Sequence, residues 1–163
     1  MRLADLPRSR TLSEAYIFPP PVSPHLAARM AGTHIELRKI KAPETRTNEK
    51  LIAEGAGGAL VPINRTQLMT DLMRHLGFPV VLVARTSLGT INHTLLSIAA
   101  LRAARLDIRG VVLVGKANVE NRRAIEHYGE ISAIGWLPFL KKIDRRALLS
   151  AYKKHFDRKA FER

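Results

Sequence analysis

A glycine-rich turn with an acid in front of it is the first segment whose residue types suggest chemistry. Glu54 is followed directly by Gly55, Ala56, Gly57 and Gly58. Where side chains are small, successive backbone N–H groups can converge on an anion such as a phosphate. A carboxylate beside bound phosphates is a typical Mg²⁺ ligand. The segment predicts a phosphate cradle with a magnesium-binding acid; the alternative is a tight turn with a solvent-exposed acid.

A second candidate site is the hydroxyl-rich segment 85–93, which leads into a predicted helix. The N–H groups and the dipole of a helix start attract anions, and the hydroxyls of this segment can add donors. Plain N-capping by Ser87 or Thr90 would also explain a hydroxyl here. His93 has no second histidine or acid at ligand spacing, so a structural role is favoured over metal binding.

One apparent phosphate-binding loop is rejected. The stretch from Gly110 to Ala117 fits the pattern G-x-x-x-x-G-K-[ST] except at its last position. Its intervening residues are valine and leucine, which indicate a strand, and Ala117 lacks the hydroxyl that would bind Mg²⁺. Because the sequence also holds no HExxH motif and no Ser-His-Asp arrangement, hydrolase chemistry has no support.

These candidates are predicted to lie on alternating strands and helices. Strands are predicted at 50–54, 79–84, 108–115 and 131–138, and helices at 66–76, 90–105, 118–128 and 141–163, with Gly77 and Gly129 as helix ends. The run 79–84 is typical of a strand covered on both faces. Residues 1–48 are expected to be irregular, with one short helix at 24–31 and no packed layer of their own.

This alternation predicts a single α/β domain over 1–163, in which 49–140 form the core of a doubly wound, mostly parallel sheet with helices on both faces. In such a sheet, ligands bind beyond the carboxyl ends of the strands. Both candidate segments follow predicted strands. They are therefore expected at the edge of the sheet where ligands bind.

Composition excludes several classes of protein. The 163 residues include no cysteine, which rules out disulfides, thiolate metal sites and cysteine nucleophiles. The absence of a secretory signal and of a membrane span predicts a cytoplasmic protein. The formal net charge is +13, and residues 141–163 hold nine basic and three acidic residues. A docked helix with a solvated basic face is favoured there over a nucleic-acid interface.

The order of the motifs resembles one enzyme family. EGAGGALVPIN, PVVLVARTSLGTINHTLLSIAALRAA and IGWLP, together with PPPVSPHLAA upstream, resemble dethiobiotin synthetases over residues 15–138. The resemblance implies a P-loop-NTPase-like fold and a homodimer. It also implies a biotin-biosynthesis ligase that uses ATP, Mg²⁺ and CO₂ to close a ureido ring on 7,8-diaminopelargonate.

The resemblance also implies roles for individual residues. Glu54 matches the magnesium-binding acid, and Gly55, Ala56 and Gly57 match the backbone that faces the nucleotide phosphates. The helix start that receives the substrate carboxylate across the dimer interface is matched by Ser87, Leu88, Gly89, Thr90, Ile91 and Asn92. The surroundings of the adenine are matched by Val114, Gly115, Leu137, Pro138 and Phe139, although the family commonly has an asparagine in place of Val114.

The phosphate-binding loop of the family, its catalytic lysine and a further magnesium-binding aspartate have no counterpart in the sequence, so no catalytic residue is carried over. The sequence is therefore expected to be an N-terminally truncated form whose ligase activity is impaired in isolation, since phosphoryl transfer depends on those groups. A separate chain bearing the loop could complete it. The alternatives are a non-catalytic remnant or partner subunit that binds substrate or dimerises, and, less favoured, a basic nucleic-acid-binding protein.

Overall fold

The computed structural model describes residues 10–44 and 50–162, which form two compact units. The first, which we call the sheet unit, includes residues 79–99 and 107–162. The second, which we call the turn unit, includes the described residues of Ser13–Phe78 and Ala100–Leu106. The single domain expected over 1–163 stays a prediction. In the described residues, no helix has the length and the apolar character that are needed to cross a bilayer.

The sheet unit contains a parallel sheet in the order β1-β2-β3. Its strands are β1 (Val80–Arg85), β2 (Ile108–Val114) and β3 (Ala133–Leu137). The chain passes from strand to strand through α3 (Thr90–Ala103) and α4 (Val119–Gly129), and it continues after β3 into α5 (Arg145–His155). The predicted α/β class with a parallel sheet is confirmed.

The core of the sheet unit explains why these apolar runs form strands. Val111 and Leu113 of β2 are buried and pack with Ala84 of β1, Ile98 of α3 and Ile125 of α4. Burial of such side chains contributes about 1.5–3 kcal/mol each relative to exposure. The central strand is thus held by helices that follow β1 and β2 in the chain.

β1 departs from the prediction of a strand covered on both faces. It is an edge strand of the described sheet, with β2 as its one neighbour there. Its face is also uncovered at Val83, which is 64% exposed, although the run PVVLVA is as apolar as that of β2. The composition of the run does not distinguish an edge strand from a central one.

The C-terminal helix is shorter than predicted, because the chain turns back to pair with β3. Asp144 caps the start of α5 by accepting a hydrogen bond from the Ala147 N–H. After His155 the backbone becomes extended, and the Asp157 N–H donates to the Ile134 carbonyl at 2.9 Å. An antiparallel bridge between Gly135 and Phe156 covers the outer edge of β3. A short 3-10 helix, Arg158–Phe161, follows.

The turn unit has its own small core. It includes α1 (Pro24–Met30), a 3-10 helix (Leu37–Lys39) and α2 (Met69–Leu76). Its core consists of Ala28, Ile35, Leu37, Ile63 and Met69. The predicted short helix near 24–31 is confirmed, and buried residues among 27–37 pack in this core together with Ile63 and Met69.

Three further boundaries differ from the prediction for local reasons. Residues 50–54 form no strand, since a strand needs a neighbour for its backbone groups and the described residues offer none. α2 begins at Met69 rather than at 66, because the Asn64 carboxamide oxygen accepts the N–H groups of 66 and 67 and holds them in a turn. Gly77 ends α2 as predicted, but Gly129 is the last residue of α4, and Glu130 takes the left-handed conformation.

Candidate functional site

The glycine turn of the turn unit has a backbone that other residues would not adopt easily. Gly57 has φ +88°, and a Cβ at this position would lie 2.9 Å from Cγ2 of Val61. A Cβ at Gly55 would lie 3.2 Å from the sulfur of Met69. Glycine is therefore required at 57 by conformation and contact, and favoured at 55 by the close approach of α2.

Backbone hydrogen bonds anchor the residues that follow this turn, whereas the N–H groups of the turn itself are unbonded among the described residues. Thr70 N–H donates to the Ala59 carbonyl at 3.1 Å, and Met69 N–H donates to the Val61 carbonyl at 2.9 Å. The N–H groups of residues 55–58 have no hydrogen-bond partner in the described part of the chain, and the four residues are exposed. Open donors on an anchored turn are available to bind an anion such as a phosphate.

Glu54 precedes these donors and is itself exposed. Neither a salt bridge nor a hydrogen bond is formed by its carboxylate within residues 10–44 and 50–162. In those ranges no group of three histidine, aspartate or glutamate side chains could hold a metal ion. Mg²⁺ is commonly bound by one or two carboxylates together with substrate phosphates and water, so a single acid beside a phosphate cradle fits this metal.

The predicted carboxylate site at the start of α3 lies in the sheet unit. Gly89 has φ +86° and precedes the first helical residue, Thr90. The Thr90 hydroxyl is buried and donates to the Arg85 carbonyl, and its oxygen accepts no backbone N–H in the described residues, so it does not cap the helix. The Ser87 hydroxyl has no hydrogen-bond partner among the described residues. Capping by Thr90 is thereby excluded, while Ser87 stays available to a ligand.

A cleft of about 390 Å³ adjoins this helix start. Hydroxyl groups line it from Ser87, Thr90, Thr94 and Ser97, together with His93 and residues of β1. Sequence reasoning missed Thr94 and Ser97, although their spacing from Thr90 places them on the same side of a helix. A larger hollow of about 500 Å³ lies at the amino ends of β2 and β3, away from the strand ends at which ligands bind in parallel sheets.

The carboxyl ends of β1, β2 and β3 are joined by three hydrogen bonds. Thr86 N–H donates to the Val114 carbonyl at 3.0 Å, and Gly115 N–H donates to the Leu137 carbonyl at 3.0 Å. Trp136 Nε1–H donates to the Gly115 carbonyl at 2.9 Å. The structure thus brings Val114, Gly115 and Leu137 together. Trp136 was not predicted, because its bond depends on a contact between two strands.

Gly115 is held closely within this group of turns. It has φ +130°, and a Cβ there would collide with the Thr86 hydroxyl. Phe139, two residues beyond Leu137, is 76% exposed. The predicted adenine surroundings therefore consist of a rigid part, Gly115 with Leu137, and an exposed aromatic ring. Glu54 and the glycine turn belong to the other unit and form a separate group of candidates.

Comparison with known proteins assigns the chain to a class and then to a family. A family model described as an AAA domain matches residues 1–147. The chain is 45% identical over 157 residues to the ATP-dependent dethiobiotin synthetase BioD of Rhodopseudomonas palustris (strain HaA2), a match that covers 96% of the chain and 73% of that protein. It is also 45% identical over 155 residues to the protein of the same name from Novosphingobium aromaticivorans, covering 95% and 74%.

A bifunctional relative is similar over a smaller share of its length. The biotin biosynthesis bifunctional protein BioCD of Bordetella avium (strain 197N) is 46% identical over 146 residues, which are 90% of the chain and 31% of that protein. The chain has the P-loop-NTPase-like α/β fold that the AAA-domain match indicates. It belongs to the dethiobiotin synthetase family.

Proposed function

We propose that the chain supplies the nucleotide-facing and substrate-facing turns of an ATP- and Mg²⁺-dependent ligase that closes a ureido ring on 7,8-diaminopelargonate with CO₂ in biotin biosynthesis. The names of the relatives support the reaction class. The observation that carries the proposal for this chain is the anchored glycine turn, with open N–H donors at 55–58 directly after the exposed acid Glu54.

Each group has a defined role in this proposal. The N–H groups of Gly55, Ala56 and Gly57 bind nucleotide phosphate oxygens, and Glu54 holds the magnesium ion that neutralises their charge. The start of α3 binds the carboxylate of diaminopelargonate through its N–H groups, in a homodimer that places the substrate of one subunit against the helix of the other. Fixed donors of this kind stabilise anions without reorganisation, which favours phosphoryl transfer.

The 163 residues contain no G-x-x-x-x-G-K-[ST] sequence. In this proposal, the lysine and the loop that surround the transferred phosphoryl group in this class are supplied by polypeptide outside these residues, either joined to them or as a separate chain. Substrate binding without turnover is accordingly expected of the isolated 163 residues. A non-catalytic subunit that keeps the substrate site would behave in the same way, and addition of the missing segment distinguishes the two.

The test is calorimetric titration of the purified, folded 163-residue chain with 7,8-diaminopelargonate and, separately, with Mg·ATP. Binding of diaminopelargonate is expected, and dethiobiotin should form when a segment bearing the phosphate-binding loop of a relative is added with ATP and bicarbonate. Binding without product in that mixture would favour the non-catalytic subunit. A folded chain that binds neither ligand, with or without the added segment, would contradict the proposal.

A further inference from the structure

The peptide between Arg85 and Thr86 is held from two sides, at the point where β1 passes into the turn before α3. Thr86 N–H donates to the Val114 carbonyl of β2 at 3.0 Å. The carbonyl of the same trans peptide points the opposite way, so β2 supplies no donor for it. The Thr90 hydroxyl donates to this Arg85 carbonyl instead. One peptide unit is thereby bonded both to the sheet and to α3.

The hydroxyl of Thr90 is shielded from water and its hydrogen is already used. Thr90 is 6% exposed, and Thr94, one helical turn further on, is 3% exposed with its hydroxyl oxygen 3.5 Å from that of Thr90. A hydroxyl has one hydrogen to donate, and the Arg85 carbonyl accepts that of Thr90. An ionised carboxylate only accepts hydrogen bonds. The Thr90 hydroxyl therefore acts on the turn and not on a carboxylate ligand.

Residues 87–89 lie between this peptide and the first helical residue, and they present open donors. Thr90 N–H donates to the Ser87 carbonyl at 3.2 Å, and His93 N–H donates to the Gly89 carbonyl at 3.1 Å. Within the described ranges the N–H groups of 87–89 have no hydrogen-bond partner, and all three residues are exposed. The cleft of about 390 Å³ adjoins Ser87 and Leu88. Donors that are held in one arrangement bind an anion more tightly than mobile ones, because less ordering is needed on binding.

We infer that Thr90 is a positioning residue of the carboxylate site at the start of α3: its hydroxyl fixes the Arg85–Thr86 peptide, and this peptide fixes the N–H groups of residues 87–89. The inference rests on the proposed function, because it takes diaminopelargonate as the ligand of this turn. It goes beyond that function in separating the side chain that shapes the site from the backbone groups that contact the ligand.

Two pairs of side chains that differ by the hydroxyl test this role in titrations with 7,8-diaminopelargonate. Thr90→Val keeps the branched shape, and its dissociation constant is expected to be about tenfold above that of wild type, which corresponds to one hydrogen bond. Thr90→Ser restores the hydroxyl and should bind within about threefold of wild type, whereas Thr90→Ala should again bind about tenfold more weakly than Thr90→Ser. Thr33→Val, at an exposed position of the turn unit, should bind as wild type does.

Circular dichroism establishes that each variant is folded before titration, and the serine and alanine pair answers the same question if Thr90→Val does not fold. Equal affinities within either pair would overturn the inference and leave the proposed function standing. Binding by Thr90→Ser that is as weak as that of Thr90→Val would also overturn it, because the methyl group and not the hydroxyl would then be required. Failure of the wild-type chain to bind diaminopelargonate, with or without the loop-bearing segment, would overturn both.

A ligand without the carboxylate distinguishes positioning of the donors from general damage to the site. Nonane-2,3-diamine has a methyl group where diaminopelargonate has its carboxylate, so it gains nothing from an anion site at residues 87–89. Thr90→Val is therefore expected to leave the affinity for this diamine unchanged while the affinity for diaminopelargonate falls. A loss of the same factor for both ligands would show that Thr90 supports the cleft as a whole, and it would contradict a role specific to the carboxylate donors.

Discussion

At the scale of single residues, the exposed carboxylate of Glu54 is the most direct test of the glycine turn. Glu54→Gln keeps the size of the side chain and removes its charge, so affinity for Mg·ATP should fall while affinity for Mg²⁺-free ATP stays nearly unchanged. Glu44→Gln is the matched control, because Glu44 is an exposed acid of the same unit and outside the turn. Equal affinities of the two variants for Mg·ATP would show that Glu54 is a solvent-exposed turn acid.

Glu36, a second acid of the turn unit, is paired and should affect acid stability. Hydrogen bonds from Lys39, which has the larger effect, and from Arg38 lower the pKa of Glu36 from the ordinary value of 4.5 to about 2. Because the folded pKa is the lower one, the stabilisation is fully present above pH 4.5 and is lost as the pH falls towards about 2. Thermal melting over this range should therefore fall less steeply in Glu36→Gln than in wild type. Parallel curves would contradict the pairing, and Glu44→Gln again serves as the control.

At the scale of elements, the cap of α4 is the clearest local stabiliser near the strand ends. The Asn118 carboxamide accepts the Asn121 N–H at 2.9 Å and satisfies one of the open donors of the first turn. Asn118→Ala is expected to lower the free energy of unfolding by about 1 kcal/mol, measured by urea denaturation. Ser150→Ala, at an exposed position within α5, should change it by less than about 0.5 kcal/mol. A loss of similar size in both variants would argue against a specific capping role.

The elements also show which features are readable from sequence. β2 lies within one residue of its predicted end, because a run that is rich in β-branched residues favours a strand. Residues 50–54 contain one β-branched residue, Ile52, and have no strand beside them in the described part of the chain, so a short apolar run alone does not make them a strand. α2 starts late because a single carboxamide, that of Asn64, binds the residues in front of it.

The candidate site also has features that the sequence predicts and features that it does not. The glycine turn at 55–58 and the hydroxyl-rich segment at 85–93 could be proposed as candidates from the sequence, because residue types suited to phosphate and carboxylate binding are local features. The bond from Trp136 to Gly115 was missed, since its two residues are on different strands and their meeting is a tertiary event. Glu54 and the start of α3 belong to two different compact units, which was also not predicted. The hydrophobic periodicity of a sequence indicates helices and strands, but it does not indicate how they group into units.

At the scale of the whole molecule, a net charge of +13 predicts weak binding to any polyanion. The exposed cations of the C-terminal segment include Arg145, Arg146, Lys153 and Lys154. Fluorescence anisotropy with a labelled DNA duplex should show binding at low salt that has no sequence preference and disappears by about 0.2 M salt, because such binding is driven by counterion release. Binding that persists at higher salt would favour a nucleic-acid function.

Two double variants of equal net charge show whether DNA binding depends on the surface of α5 or on the overall charge of the protein. Lys153→Gln with Lys154→Gln removes two exposed charges from α5, and Arg65→Gln with Lys116→Gln removes two exposed charges elsewhere. Equal losses of duplex affinity are expected, because overall charge is the cause. A loss confined to the α5 variant would identify that helix as a specific nucleic-acid surface and contradict the expectation.

The hydrogen bond between Trp136 and Gly115 also gives the protein an internal optical reporter. Trp136 is the one tryptophan of the chain, so its emission can be excited apart from the tyrosines and contains no contribution from another indole. Its N–H is bonded to the turn after β2, and its ring lies edge-on to the His155 ring with centroids 4.7 Å apart. A ligand that displaces this turn changes the polarity and the quenching of the indole. Intrinsic fluorescence can therefore follow events at the strand ends without a label.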